Sequence, residues 1–152
     1  MSLGKPPRLD HVFQKYDPPV YFVTLCTTHR RKVLANDVIH SVVVDYGQRG
    51  EEDGFALGRY VIMPDHIHLF VAGTYDFDLG LWIRGLKRVV AAAVSGGRKH
   101  LWQRGFFDHL IRSNESYLEK WDYVQQNPVR AGLVGDADEW PFQGEIVAIE
   151  HS

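Results

Sequence analysis

Two histidines, His66 and His68, lie two positions apart in the run His66-Ile67-His68-Leu69-Phe70-Val71. On a β-strand that spacing sends both imidazoles to one face, while Ile67, Leu69 and Val71 point the other way, toward a core. Side-by-side imidazoles are a natural pair of ligands for a divalent metal. Ordinary exposed or hydrogen-bonded histidines fit the same spacing, and no cysteine or third histidine completes an obvious zinc set. A metal-dependent hydrolase would need a further carboxylate, for which Asp65 and Asp108 are the candidates.

A second group with possible chemistry sits farther along the chain. From Ser113-Asn114 to Asn127-Pro128 the spacing predicts a helix, and Tyr117, Leu118, Trp121 and Val124 fall within about 120° of one another as its apolar stripe. Tyr123 and Asn127 fall about 200° and about 240° from Trp121, off that stripe and one turn apart. A helix that anchors itself with one side and shows a phenol on the other can deliver a nucleophile. A surface tyrosine fits the pattern too. Glu119 precedes Tyr123 by one turn, where it reads as an exposed glutamate or as a group that tunes the phenol.

The elements that must position these groups follow from composition and periodicity. The 152 residues suit one domain, spanning 1–152 with a core of about residues 20–134 and a tail from 135. A 45% hydrophobic and 24% charged composition excludes a disordered chain. The one cysteine, Cys26, falls in an apolar run and reads as core; with no disulfide framework, a reducing compartment such as the cytoplasm is expected. No apolar run approaches the ~20 residues of a membrane span, and the start does not read as a signal peptide.

Net charge is −2, unevenly spread: residues 1–75 balance, 76–112 carry +4 and 113–152 carry −6. The positive segment includes Arg84, Lys87 and Arg88 at helical spacing, which could track a polyanion or simply form a solvated helix face.

Residues 20–27 read as a buried strand, and a helix capped by Asn36 follows to about Gly50. Residues 55–62 and 66–72 read as a hairpin broken at Met63-Pro64-Asp65. A helix capped by Asp78 runs to about Ser95, where Gly96-Gly97 stops it, and residues 106–112 read as a fourth strand. The order β-α-β-β-α-β with an additional C-terminal helix carrying the tyrosine is the ferredoxin-like α+β arrangement, an antiparallel sheet with two helices on one face. The tail from Val134 to Ser152 holds no clear element.

Four stretches together resemble the HUH family of single-tyrosine transposases, in its REP-associated branch. They are Tyr21-Phe22-Val23-Thr24, the ten residues from Tyr60 to Leu69, Trp102-Gln103-Arg104-Gly105-Phe106-Phe107-Asp108-His109, and the twelve residues from Tyr123 to Val134. The resemblance implies that His66, His68 and Asn127 hold a divalent ion, Mg²⁺ or Mn²⁺, and that Tyr123 attacks a DNA phosphate. Related transposases carry glutamine where Asn127 stands, so its shorter amide needs a closer helix or a bridging water. It also implies a 5′-phosphotyrosine intermediate, a single-stranded or hairpin DNA partner, and either a monomer or a homodimer. Arg84, Lys87, Arg88, Trp102, Arg104 and Arg130 are the expected DNA contacts. A ferredoxin-like module that binds single strands without catalysis is the alternative, although its usual row of strand aromatics is missing here.

Overall fold

A central strand buried on both faces organises the chain. The computed structural model describes residues 19–74, 77–94 and 100–149. Its elements run β1 (Val20–Cys26), α1 (Asp37–Glu52), β2 (Phe55–Ile62), β3 (His66–Gly73), α2 (Leu79–Ala93), β4 (Phe107–Ile111), α3 (Asn114–Gln125), α4 (Asn127–Arg130) and β5 (Gln143–Glu145). The strands form one sheet in the order β4-β1-β3-β2-β5, with every pairing antiparallel. The expected β-α-β-β-α-β core with its added helix is therefore present. The segment before Pro19 and the Gly96-Gly97 stop lie outside the described residues.

Local chemistry accounts for most boundaries. The Asn36 side chain accepts from the Ile39 N–H at 3.0 Å, and Asp78 accepts from the Leu81 N–H at 3.0 Å, satisfying first-turn donors. Gly54, at φ 89°, makes the turn into β2 that an L side chain would strain. The hairpin closes where the Met63 N–H donates to the His66 carbonyl at 2.8 Å. Several boundaries differ from the sequence reading. The helix begun at Leu79 ends at Ala93, β4 is two residues shorter, and the chain stays helical past Pro128 for one more turn. Proline is tolerated there because it stands in the first turn of α4, where its missing N–H is not needed.

Alternation in β3 divides the core in two. Ile67, Leu69 and Val71 pack under α1 and α2 with Ile39, Val43, Ile83, Leu86 and Val90. Phe70 and Ala72 face the other way, against Tyr117, Trp121 and Val124 of α3 and against Trp140, Val147 and Ile149 of the tail. Leu118, expected in the apolar stripe of α3, is 42% exposed. The helix seats its Tyr117–Trp121–Val124 row on Phe70, whose ring lies 4.5 Å from that of Tyr117, and leaves Leu118 at the rim.

The tail, unassigned from sequence, holds a 3₁₀ turn at Ala137–Glu139 and strand β5. The Trp140 indole donates to the Ile62 carbonyl at 3.0 Å, and Val147 N–H to Leu57 carbonyl at 2.9 Å, so the tail covers the free edge of β2. A bulge between Leu57 and Tyr60 turns Tyr60 and Ile62 toward α1 and Val61 toward α3. Gly58 sits in this bulge, where a Cβ would lie 2.7 Å from Ile149 Cδ1 and 2.8 Å from the Tyr117 hydroxyl. Gly58→Val should therefore lower unfolding free energy by about 1–3 kcal/mol in chemical denaturation. Combining it with Ile149→Ala should cost less than the two single losses added together.

Candidate active site

His66 and His68 project from β3 onto the face opposite α1 and α2, and their rings meet edge-on at 4.7 Å. Each is held by its Nδ1. The His66 Nδ1 lies 2.7 Å from Asp65 Oδ1 and 3.2 Å from Arg30 Nη2; the carboxylate, which only accepts, is the shorter contact, and a proton on Nδ1 satisfies it and leaves Nε2 as a lone pair. Asp65 is fixed in turn by Arg30, whose Nε donates to Oδ2 at 2.9 Å. His68 Nδ1 lies 2.9 Å from the Thr24 hydroxyl, and its ring stacks on Phe22 with centroids 5.2 Å apart. This is the arrangement that metal-binding imidazoles require: an oxygen partner on one nitrogen and the other free to coordinate. The two imidazoles are a donor pair of the kind a divalent ion takes, and among the described residues no group of three His, Cys, Asp or Glu side chains gathers to complete a site by itself.

Electrostatics keep that pair neutral. Burial lowers His68 to about 3, reinforced by the neighbouring His66, Lys120, Arg130 and Arg30. Burial also pushes His66 down, against the upward pull of Asp65. Burial alone would raise Asp65, but hydrogen bonds from Arg30 and His66 outweigh it and hold the carboxyl below its ordinary value. Arg30 reaches Asp65 from a 3₁₀ turn, Thr28–Arg30, in which both His29 (φ 58°) and Arg30 (φ 52°) adopt the left-handed region. Such backbone costs on the order of 1–3 kcal/mol per residue and persists only where its surroundings enforce it.

The phenol comes to the same face. Tyr117, Trp121 and Val124 seat α3 on Phe70, and Tyr123, on the outer side of the helix, is 64% exposed. Tyr123 borders a hollow lined by His109, Ile111, Ser116, Glu119 and Lys120, and the Arg130 guanidinium stacks over its ring at 4.1 Å. Lys120 lies 5.1 Å above the Phe22 ring, the same ring that stacks on His68. Asn127 opens α4, directly after Gln126, so it stays one turn beyond Tyr123.

The other expected DNA contacts are placed differently. Arg84, Lys87 and Arg88 lie on α2, which packs on the opposite face of the sheet. The Lys87 ammonium is engaged, donating to the Gln103 carbonyl at 3.1 Å and to the Gly105 carbonyl. Trp102 packs against the α1–α2 core and its indole donates to the Lys87 carbonyl at 2.9 Å. Arg104 is exposed in the loop before β4. Of the six, Arg130 is the one that acts on His68, joined there by Lys120 and Arg30. Cys26, expected in the core, is partly exposed because its register partner is His66, on the candidate face.

Thr24, Arg30 and Lys120 were missed in the sequence because only strand register and helix seating reveal their proximity to the histidines. His68 also sets a pH dependence. Its folded value lies below the ordinary 6.5, so the unfolded chain takes up a proton first and stability falls as pH drops below about 6.5. With chelator present, the urea midpoint should decline from pH 7 to pH 5, and His68→Gln should flatten that decline.

Comparison with known proteins bears on the family and the fold. The profile of the family described as "Transposase IS200 like" matches residues 19–127, more than half of the chain. A REP-associated tyrosine transposase of Escherichia coli (strain K12) is 33% identical over 89 residues, covering 58% of this chain. The match spans 53% of that relative, about half its length. A putative REP-associated tyrosine transposase of Haemophilus influenzae is 29% identical over 136 residues, 81% of this chain and 77% of the relative. The solved structure of a REP-associated tyrosine transposase bound to a REP hairpin superposes with a TM-score of 0.70 at 26% identity, covering 83% of this chain and 76% of that one. On the extent of the profile match, this chain belongs to the IS200-like transposase family.

Proposed function

We propose that the protein cuts and rejoins single-stranded DNA, with a hairpin-containing strand as substrate and Tyr123 as the nucleophile. The observation that carries this reading is the sharing of one sheet face by the imidazole pair, the exposed phenol of α3, and the cations Lys120 and Arg130. The REP hairpin bound by the structural relative supports the choice of substrate. His66 and His68, with Asn127 as third ligand, would hold Mg²⁺ or Mn²⁺. When bound, such an ion polarises a nonbridging phosphate oxygen and orients the ester for in-line attack.

The chain's own residues do the rest. Asp65 and Thr24 each hold one imidazole by its Nδ1, which leaves Nε2 as the nitrogen that would coordinate. Lys120 and Arg130 neutralise strand phosphates, and Arg130, stacked on the phenol ring, restricts its direction of attack. The Tyr123 oxygen forms a bond to phosphorus as the bond to the 3′ oxygen breaks. One proton leaves the phenol and one is taken up by the departing 3′ oxygen. The resulting 5′-phosphotyrosine conserves the ester, so another 3′-hydroxyl can reverse the step without ATP. A free phenol titrates near pH 10, so the orientation and charge of this face must supply much of the acceleration.

Labelled hairpin DNA from the flanks of the protein's own gene, incubated with Mn²⁺, should give a covalent protein–DNA band on a denaturing gel. Tyr123→Phe and chelator should each abolish the band, while Tyr123→Phe still binds the hairpin. Hairpin binding without any adduct would overturn catalysis in favour of a binding module. Thr24→Val removes the His68 partner while keeping its shape, and should weaken Mn²⁺ binding about 10–100-fold in a metal titration.

A further inference from the structure

Phe107 is 69% exposed, the most exposed large apolar side chain among the described residues. It begins β4 in register with Thr24, which in turn pairs with His68 of β3. Phe107, Thr24 and His68 thus form one row across the candidate face. With strands about 4.8 Å apart, Phe107 stands roughly 10 Å from His68, about the reach of one nucleotide from its phosphate to its base. Its neighbour Phe106 packs against the α1–α2 core instead. His109, two residues on and on the same face, borders the hollow beside Lys120 and Tyr123.

The loop that delivers Phe107 is tied down at each step. Gln103 N–H donates to the Cys26 carbonyl at 2.9 Å, and its side-chain amide donates to the Thr27 carbonyl at 3.1 Å. Lys87 holds the Gln103 and Gly105 carbonyls, and Gly105 turns the chain at φ 72°. A half-buried lysine, an indole and an amide therefore hold in place a ring that itself stays in solvent. Folding gains little from that ring, whereas a ligand would gain a pre-positioned apolar plane in the same row as His68, the imidazole on which Arg30, Lys120 and Arg130 act.

We propose that Phe107 is the stacking platform for a nucleobase of the DNA strand whose phosphate lies at His66 and His68, an inference that rests on the DNA-cleaving reading above. Stacking of this kind is sequence-tolerant, because every base offers a π-face.

The test uses the full chain with two fluorescent probes, a twelve-nucleotide oligothymidylate and an abasic strand of equal length, read by anisotropy in Mn²⁺. Phe107→Ala should weaken oligothymidylate binding about 5- to 100-fold and leave the abasic strand unchanged, and Phe107→Trp should keep wild-type affinity. Equal affinity of Phe107→Ala and wild type for oligothymidylate overturns the proposal alone. So does an equal loss on both probes, or a sedimentation change showing that Phe107 instead pairs two copies along the β4 edge. Wild-type protein that binds neither strand overturns this inference, while the hairpin adduct assay decides the DNA-cleaving reading separately.

Discussion

The register between β1 and β3 is the constraint on which the rest depends. Thr24 opposite His68 and Cys26 opposite His66 set which side chains border the imidazoles, and the Thr24–His68 hydrogen bond at 2.9 Å fixes one ring. A slip of one residue would turn His66 and His68 into the space occupied by α1 and α2, and put Ile67, Leu69 and Val71 on the open face. Burial of β3 on both sides makes such a slip prohibitive. Stability and placement of the chemistry are therefore enforced by the same pairing.

Charge works at close range here. By segment, residues 113–152 are the most acidic part of the chain, yet their two basic residues, Lys120 and Arg130, both act on His68. The segment richest in positive charge supplies α2, on the opposite side of the sheet. There Lys87 serves the loop before β4 rather than a ligand. Segment sums fail because a fold brings together individual side chains, and screening leaves only the near ones effective.

The run from Trp102 to Phe107 shows how one motif can serve several ends. Trp102 and Phe106 are packed against the helix-side core, Gln103 bridges to the end of β1, and Gly105 supplies the turn. Of these aromatics Phe107 emerges on the histidine face, with most of its surface in solvent. Composition offers no way to rank these aromatics, since each satisfies the same apolar pattern. The strained turn at His29 and Arg30 is similarly silent in sequence, because it is held from both ends by distant partners: the Thr27 and Thr28 N–H groups donate to the Asp65 and Leu101 carbonyls, and Arg30 pairs with Asp65.

The sequence by itself determined the element order, the common face of His66 and His68, and the exposure of Tyr123 off the apolar stripe of its helix. These follow from periodicity, a local property in which a spacing of two or four residues dictates direction. It also carried the family, whose profile matches residues 19–127. Tertiary structure decided what periodicity cannot reach: the tail laid along β2, the bulge that reorients Tyr60, the seating of α3 on Phe70, and the partners of each imidazole. Those depend on contacts between residues far apart in sequence, such as Thr24 with His68 and Arg30 with Asp65. Such contacts exist only once the sheet has paired, because pairing is what brings the groups within hydrogen-bonding distance.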